Sequence, residues 1–171
     1  MHFYSMFITT LYKVLSFILL PIGALLGLVG IFSLLSSLGN PYGLLSSFLL
    51  LCTGIYIFTS FLFAYNGIIQ KKTCKPSLKD WIKVNSYVSL FVSSSCIIDF
   101  ITLKLKPSML QDFTNQALSM KKGLPPEAMA MMPQLINSVL YFLLVFGVIL
   151  FVHISLSLTF IKTRTEIFTK E

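Results

Sequence analysis

The sequence predicts an all-α membrane fold: a four-helix transmembrane bundle with an extra amphipathic helix in the outer loop between helices 3 and 4. Three observations carry this. Four apolar runs are each long enough to cross a bilayer, which takes ~20 residues in a helix. Apolar residues make up 56% of the 171-residue chain and charged residues 11%, less than half the ~25% that a soluble domain carries. The charges that do occur fall between and after the apolar runs, where they set topology.

The first span is expected at 14–38. An aromatic lead-in precedes it, with Phe3, Tyr4, Phe7 and Tyr12 ending at Lys13; such a segment suits the head-group level. Pro21 should kink the span, because it leaves a carbonyl near Phe17 without its usual helix partner. At 100° per residue Ser16, Gly23, Gly27 and Gly30 share one face, and Gly23 and Gly27 form a G-x-x-x-G. Small residues let a second helix approach closely, which matters where lipid supplies no hydrophobic drive for association.

An uncharged turn, Gly39-Asn40-Pro41, makes the first two spans antiparallel neighbours. The second span is expected at 44–69. Ser46, Thr53, Ser60, Ala64 and Gly67 lie within a narrow wedge, so the helix-packing seam is assigned to these residues and the small face of the first span.

The cytoplasmic basic loop, 70–83, divides the chain. Ser77 reads as an N-cap, with Asp80 completing a capping box. Lys71, Lys72, Lys75, Lys79, Trp81 and Lys83 form the membrane-surface set, with Trp81 marking the interface. The run Lys75-Pro76-Ser77-Leu78-Lys79-Asp80-Trp81-Ile82-Lys83, together with the layout, resembles small uncharacterised tetraspanning membrane proteins of bacteria. That resemblance carries over no functional residues.

The third span, 84–103, is the most polar. Asn85, Ser95, Cys96, Asp99 and Thr102 cluster on one side, expected to face into the bundle. The outer loop, 104–133, repeats the Lys-Pro-Ser pattern at Lys106-Pro107-Ser108, with Ser108 as N-cap and Leu110, Phe113, Ala117 and Met120 at helical spacing. Gly123 is its expected C-cap, and Pro133 should kink or restart the helix that Pro126 opens. The fourth span is expected at 134–161.

Both termini and the basic loop share one side, because the number of spans is even. That side holds Lys13, Lys71, Lys72, Lys75, Lys79, Lys83, Lys162, Arg164 and Lys170; the other holds Lys104, Lys106, Lys121 and Lys122. Nine cations against four place both termini in the cytoplasm of a cell with the protein in its inner membrane.

Asp99, Ser95 and His153 are the candidate ion or polar site, since an ionisable residue inside a span is a functional hypothesis by default. Asp99 sits near the outer end of its span, where Lys104 or Lys106 can pair with it. His153 lies about 15 Å away in depth at ~1.5 Å per residue. A relay between the two is therefore disfavoured, and Ser60, Ser89 or the carbonyl freed by Pro21 are the expected partners of His153. No catalytic, metal or cofactor motif occurs, and the basic residues lack the stripe that nucleic acid requires. The expected function is non-enzymatic: a scaffold or accessory subunit of a membrane complex, with lipid, anionic head groups, a membrane protein or a second copy as partner. The alternative is a small oligomeric transporter or channel using the polar face of the third span, which ion flux through the reconstituted protein would reveal.

Overall fold

The computed structural model describes the backbone of residues 2–120 and 126–168, with the side chains of 6–116, 118, 119, 127 and 129–168. Among the described residues five α-helices follow one another: α1 (His2–Ser36), α2 (Pro41–Leu62), α3 (Pro76–Leu105), α4 (Pro107–Met120) and α5 (Pro126–Thr163). A π-helical turn (Phe63–Ile69) extends α2, and a short 3₁₀ turn (Thr165–Ile167) follows α5. No strand occurs among the described residues. Four of the helices, over Met6–Ser36, Pro41–Ile69, Pro76–Leu105 and Met129–Thr163, are long and apolar enough to cross a membrane.

Several helix boundaries differ from the expected ones. α1 runs unbroken from His2 through Pro21, so the lead-in is not a separate surface segment. Nothing between residues 2 and 13 stops a helix, and Tyr12 is 0% exposed instead of resting at a head-group boundary. α3 and α4 begin at Pro76 and Pro107, and their first carbonyls engaged are those of Lys75 and Lys106, which accept from Leu78 and Met109 at 3.0 Å each. Ser77 and Ser108 therefore lie inside the helices rather than capping them. Proline suits the first helical position because its φ is preset and the N–H it lacks has no partner there. α5 continues through Pro133 without restarting. Lys121, Lys122 and the expected cap Gly123 lie outside the described residues, as do Lys170 and the side chain of Ala117.

The chain divides into two compact units. The first comprises Met1–Val92 and Ile149–Glu171, the second Ser93–Val148. In the first, α1 and α2 form a tight hairpin. Gly39 takes φ +98°, a conformation open to glycine at no steric cost. Asn40 caps α2, its side-chain oxygen accepting from the Tyr42 and Gly43 N–H groups at 3.2 and 3.4 Å, with Pro41 in the first turn.

Glycines set the distance between the two helices. A Cβ on Gly23 would fall 2.5 Å from Ile57, and one on Gly30 2.9 Å from Leu51. A Cβ on Gly54 would fall 3.2 Å from the Gly27 backbone and 3.3 Å from the Gly23 carbonyl oxygen. Farther along, Ser47 donates to Ser33 at 2.7 Å. The face of α2 turned to α1 thus runs through Ser47, Leu51 and Gly54. Of the wedge assigned from sequence, Thr53, Ser60, Ala64 and Gly67 are buried in this unit, but about 120° around the helix from that contact. Ser46 is exposed and donates to the Tyr42 carbonyl of its own helix.

The basic loop and the tail close one end of the first unit. The Cys74 N–H donates to the Ile167 carbonyl at 2.8 Å, and Phe168 stacks on Phe63 at 5.2 Å. The π turn ends in Gln70 N–H to Tyr65 C=O and Lys72 N–H to Asn66 C=O bonds, each 2.9 Å.

In the second unit, α3 and α5 touch at Gly147, where a Cβ would fall 3.0 Å from the Ser93 carbonyl oxygen. Lys104 donates to Asn137 at 2.7 Å and lies 4.7 Å over the Tyr141 ring.

The glycine contacts make a paired prediction. Gly54→Ala drives a methyl group into α1 backbone and should cost about 1–3 kcal/mol. Gly27→Ala places its methyl where nothing lies within 4 Å and should be neutral or stabilising by up to about 1 kcal/mol through helix propensity. Thermal unfolding in detergent measures both, and equal losses would rule out the crossing described.

Candidate functional site: a buried hydrogen-bonded chain around His153

Three helices of the first unit each contribute a ring residue followed four positions later by serine: Tyr12 and Ser16 on α1, Tyr56 and Ser60 on α2, His153 and Ser157 on α5. Residues i and i+4 share a helix face. All six are buried, and the rings of Tyr12, Tyr56 and His153 are 0% exposed. Apolar neighbours make this possible only if the polar atoms pair with one another.

They do so as a continuous chain. Ser16 Oγ lies 2.8 Å from the Tyr12 carbonyl and 2.9 Å from His153 Nε2. On the other side of the ring, His153 Nδ1 lies 2.9 Å from the Tyr56 hydroxyl, which lies 2.9 Å from Ser157 Oγ. Ser157 then lies 3.1 Å from the Tyr12 hydroxyl, which reaches the Ser60 carbonyl at 3.2 Å. Tyr12 also stacks its ring on His153, centroids 4.8 Å apart and 12° from parallel, while Tyr56 meets the imidazole edge-on at 73°. The chain thus begins and ends on backbone carbonyls of α1 and α2, with α5 between them. No buried side-chain nitrogen or oxygen among the described residues lacks a partner.

The chain has six contacts, but a neutral imidazole and four hydroxyls supply only five hydrogens. Two arrangements leave the deficit at an end of the chain. With the hydrogen on Nδ1, Ser16 donates to Nε2 and the donors run through Tyr56, Ser157 and Tyr12 to the Ser60 carbonyl. With the hydrogen on Nε2, every donor reverses and the run ends on the Tyr12 carbonyl. Either way the carbonyl that goes without has a backbone donor in its own helix: Ser60 accepts from the Phe63 N–H, and Tyr12 lies inside α1. Exchanging the imidazole tautomer therefore shifts all five hydrogens by one contact and orphans no buried group.

His153 does not meet the partners expected for it. Ser16 and Tyr56 hold its ring, and Ser60 enters through its carbonyl at the far end. Ser89 is buried and donates to the Asn85 carbonyl of its own helix at 2.8 Å. Asp99 is exposed and Ser95 half-buried, both in the second unit. The polar residues of α3 that are buried are Asn85, Ser86, Ser89 and Ser93, a stripe from which Asp99 is turned about 100°. Among the membrane-surface residues Lys71, Lys72, Lys75 and Lys83 are exposed, Trp81 is 56% exposed, and Lys79 lies 5.8 Å over the Phe168 ring.

Comparison with models of protein families, with curated proteins and with solved structures returned no match. The class that the architecture supports is an all-helical protein with four helices suited to spanning a membrane.

Tyr56→Phe removes the hydroxyl that touches both His153 and Ser157, and should cost about 1–2 kcal/mol, within the range for buried and interhelical hydrogen bonds. Ser46→Ala, which deletes an exposed hydroxyl bonded to its own helix, should cost almost nothing. Unfolding curves that place the two variants together would refute the chain's role in holding α1, α2 and α5.

Proposed function

We propose that the protein is a non-enzymatic, multi-pass membrane component, a scaffold or accessory subunit, that seats one apolar transmembrane helix of a partner protein against α1 and α2. The observation that carries this reading is a groove of about 520 Å³ between these two helices, lined only by apolar residues. Gly23, Gly27 and Gly54 form part of its lining, and the exposed side chains of Leu28, Ile31 and Phe58 border it. Within the chain, Ile57 fills the space beside Gly23, but the position of a Gly27 Cβ is open for 4 Å around. A bare helix surface of this kind rewards another helix more than a mobile acyl chain, because backbones approach and pack closely there. The His153 chain supports the reading from behind, holding α1 and α2 together so that the groove keeps its shape.

Gly27→Leu tests this, because its Cβ enters open space on the groove side of α1. A photo-reactive residue at Leu28 should cross-link one membrane protein in native membranes, and Gly27→Leu should abolish that adduct at unchanged thermal stability. An adduct the size of a dimer would assign the groove to a second copy, and wild-type protein that captures nothing would overturn the proposal.

The same reading sets the protein in an inner membrane with both termini cytoplasmic, on the balance of lysines and arginines. Cys74 is a poor reporter of this, since it is 6% exposed and burial pushes its thiol pKa up. Lys75→Cys is exposed in its place. A membrane-impermeant maleimide should label it only after the membrane is opened, and labelling of intact cells would reverse the orientation.

A further inference from the structure

The end of α2 carries a second site with different chemistry. Gly67 and Ile68 of the π turn, Lys71, Lys72 and Thr73 of the loop, and Arg164, Glu166 and Ile167 of the tail enclose a hollow of about 370 Å³. Three cations and one carboxylate line it. Lys71 and Lys72, expected in the membrane-surface set, here join an arginine from nearly a hundred residues farther along the chain.

The walls of the hollow are held in place. The Cys74 N–H to Ile167 C=O bond ties loop to tail. Ile167 packs on Gly67 so closely that a Cβ there would fall 2.9 Å from its Cγ2. Arg164 is oriented twice, by donating to Thr9 Oγ1 at 3.2 Å and by lying 5.0 Å over the Phe160 ring. Lys71 takes φ +54° and is the one non-glycine residue with positive φ among the described residues. That conformation costs an L-residue roughly 1–2 kcal/mol that glycine would avoid, and strain of this kind collects at ligand sites. The hollow also lies at the ends of two candidate spans, Pro41–Ile69 and Met129–Thr163, and its apolar side is formed by Gly67, Ile68 and Ile167.

We propose that this hollow binds the phosphate of an anionic phospholipid head group. The Arg164 guanidinium suits two phosphate oxygens at once, and Lys71 and Lys72 supply point charges. Glu166 opposes the phosphate and leaves a net formal charge of two positives. The apolar side gives the lipid's glycerol and first acyl carbons a surface that a free phosphate ion would not use. Basic pockets at the cytoplasmic ends of spans recognise head groups in this way. The inference rests on the membrane-spanning reading. That reading has its own test: extraction of the protein from membranes by alkaline carbonate alone would sink it, whatever the lipid measurements show.

The full chain, purified in a neutral detergent, is titrated in native mass spectrometry with phosphatidylglycerol, with phosphatidylcholine, and with glycerol phosphate as the soluble head group. Phosphatidylglycerol should bind about thirtyfold more tightly than phosphatidylcholine, as roughly 1 kcal/mol for each of the two net positive charges implies. The double variant Lys71→Gln/Lys72→Gln should lose that preference, and Glu166→Gln should increase it severalfold. Lys75→Gln/Lys83→Gln removes the same charge outside the hollow and should leave the preference in place. Equal binding of the two lipids by the wild type overturns the proposal. So does an equal loss in the Lys75/Lys83 pair, which would mean diffuse attraction. Displacement of phosphatidylglycerol by an equal concentration of glycerol phosphate overturns it as well, since the ligand would then be a soluble phosphate.

Discussion

A polar side chain sealed among apolar ones has no water to turn to, and the first unit is arranged around that constraint. His153 is its sharpest case. Each ring nitrogen must find a partner, and the partners come from two different helices. Once Ser16 and Tyr56 are in place, Ser157 and the Tyr12 hydroxyl follow, because each would otherwise be left unpaired in turn. The chain stops only where it reaches backbone carbonyls that have other donors. Geometry that satisfies every member at once is restrictive. A register shift of α1 against α5 would break several contacts together, so the network defines which residues of three helices lie level with one another.

The glycine contacts and the network divide the labour between them. Gly23, Gly30 and Gly54 bring α1 and α2 together by what they lack, and this attraction is short-ranged and tolerant of sliding. The Ser16, Tyr56 and His153 contacts are directional and resist sliding. Close packing without the hydrogen bonds would leave a hairpin of poorly defined register. The hydrogen bonds without close packing could not form, since they span distances of about 3 Å between helices.

The four long helices were legible because length and apolar composition decide them locally. The boundaries were less so. Tyr12 reads as an interfacial aromatic until a histidine 141 positions away stacks against it. The π turn left no trace, because its backbone pattern is tied to tertiary contacts: Gly67 against Ile167 and Phe63 against Phe168. The packing seam was half legible. Gly23 and Gly30 do meet α2, but Gly54 was missed because Thr53 and Ser60 drew the small-residue wedge to a face that looks elsewhere. His153 stood out as a buried histidine, whereas its partners did not. The signal was present in Tyr12 and Ser16, Tyr56 and Ser60, His153 and Ser157, a ring and a serine at one spacing on three helices. Read one helix at a time, each pair looks like ordinary packing.

The π turn has a consequence for how this chain can change. An α-helix transmits phase: adding or deleting one residue rotates everything beyond it by about 100°. A wider turn at Phe63–Ile69 already absorbs such an offset. Before it, Gly54, Tyr56 and Ser60 serve the groove and the histidine; within it and just after it, Gly67, Ile68 and Lys71 line the basic hollow. One helix thus carries two faces whose angular relation is set by a hydrogen-bonding irregularity. Descendants of this sequence that gain or lose a residue in the turn could re-aim the hollow while the helix packing upstream stayed as it is. The two ends of α2 are in that sense separately heritable.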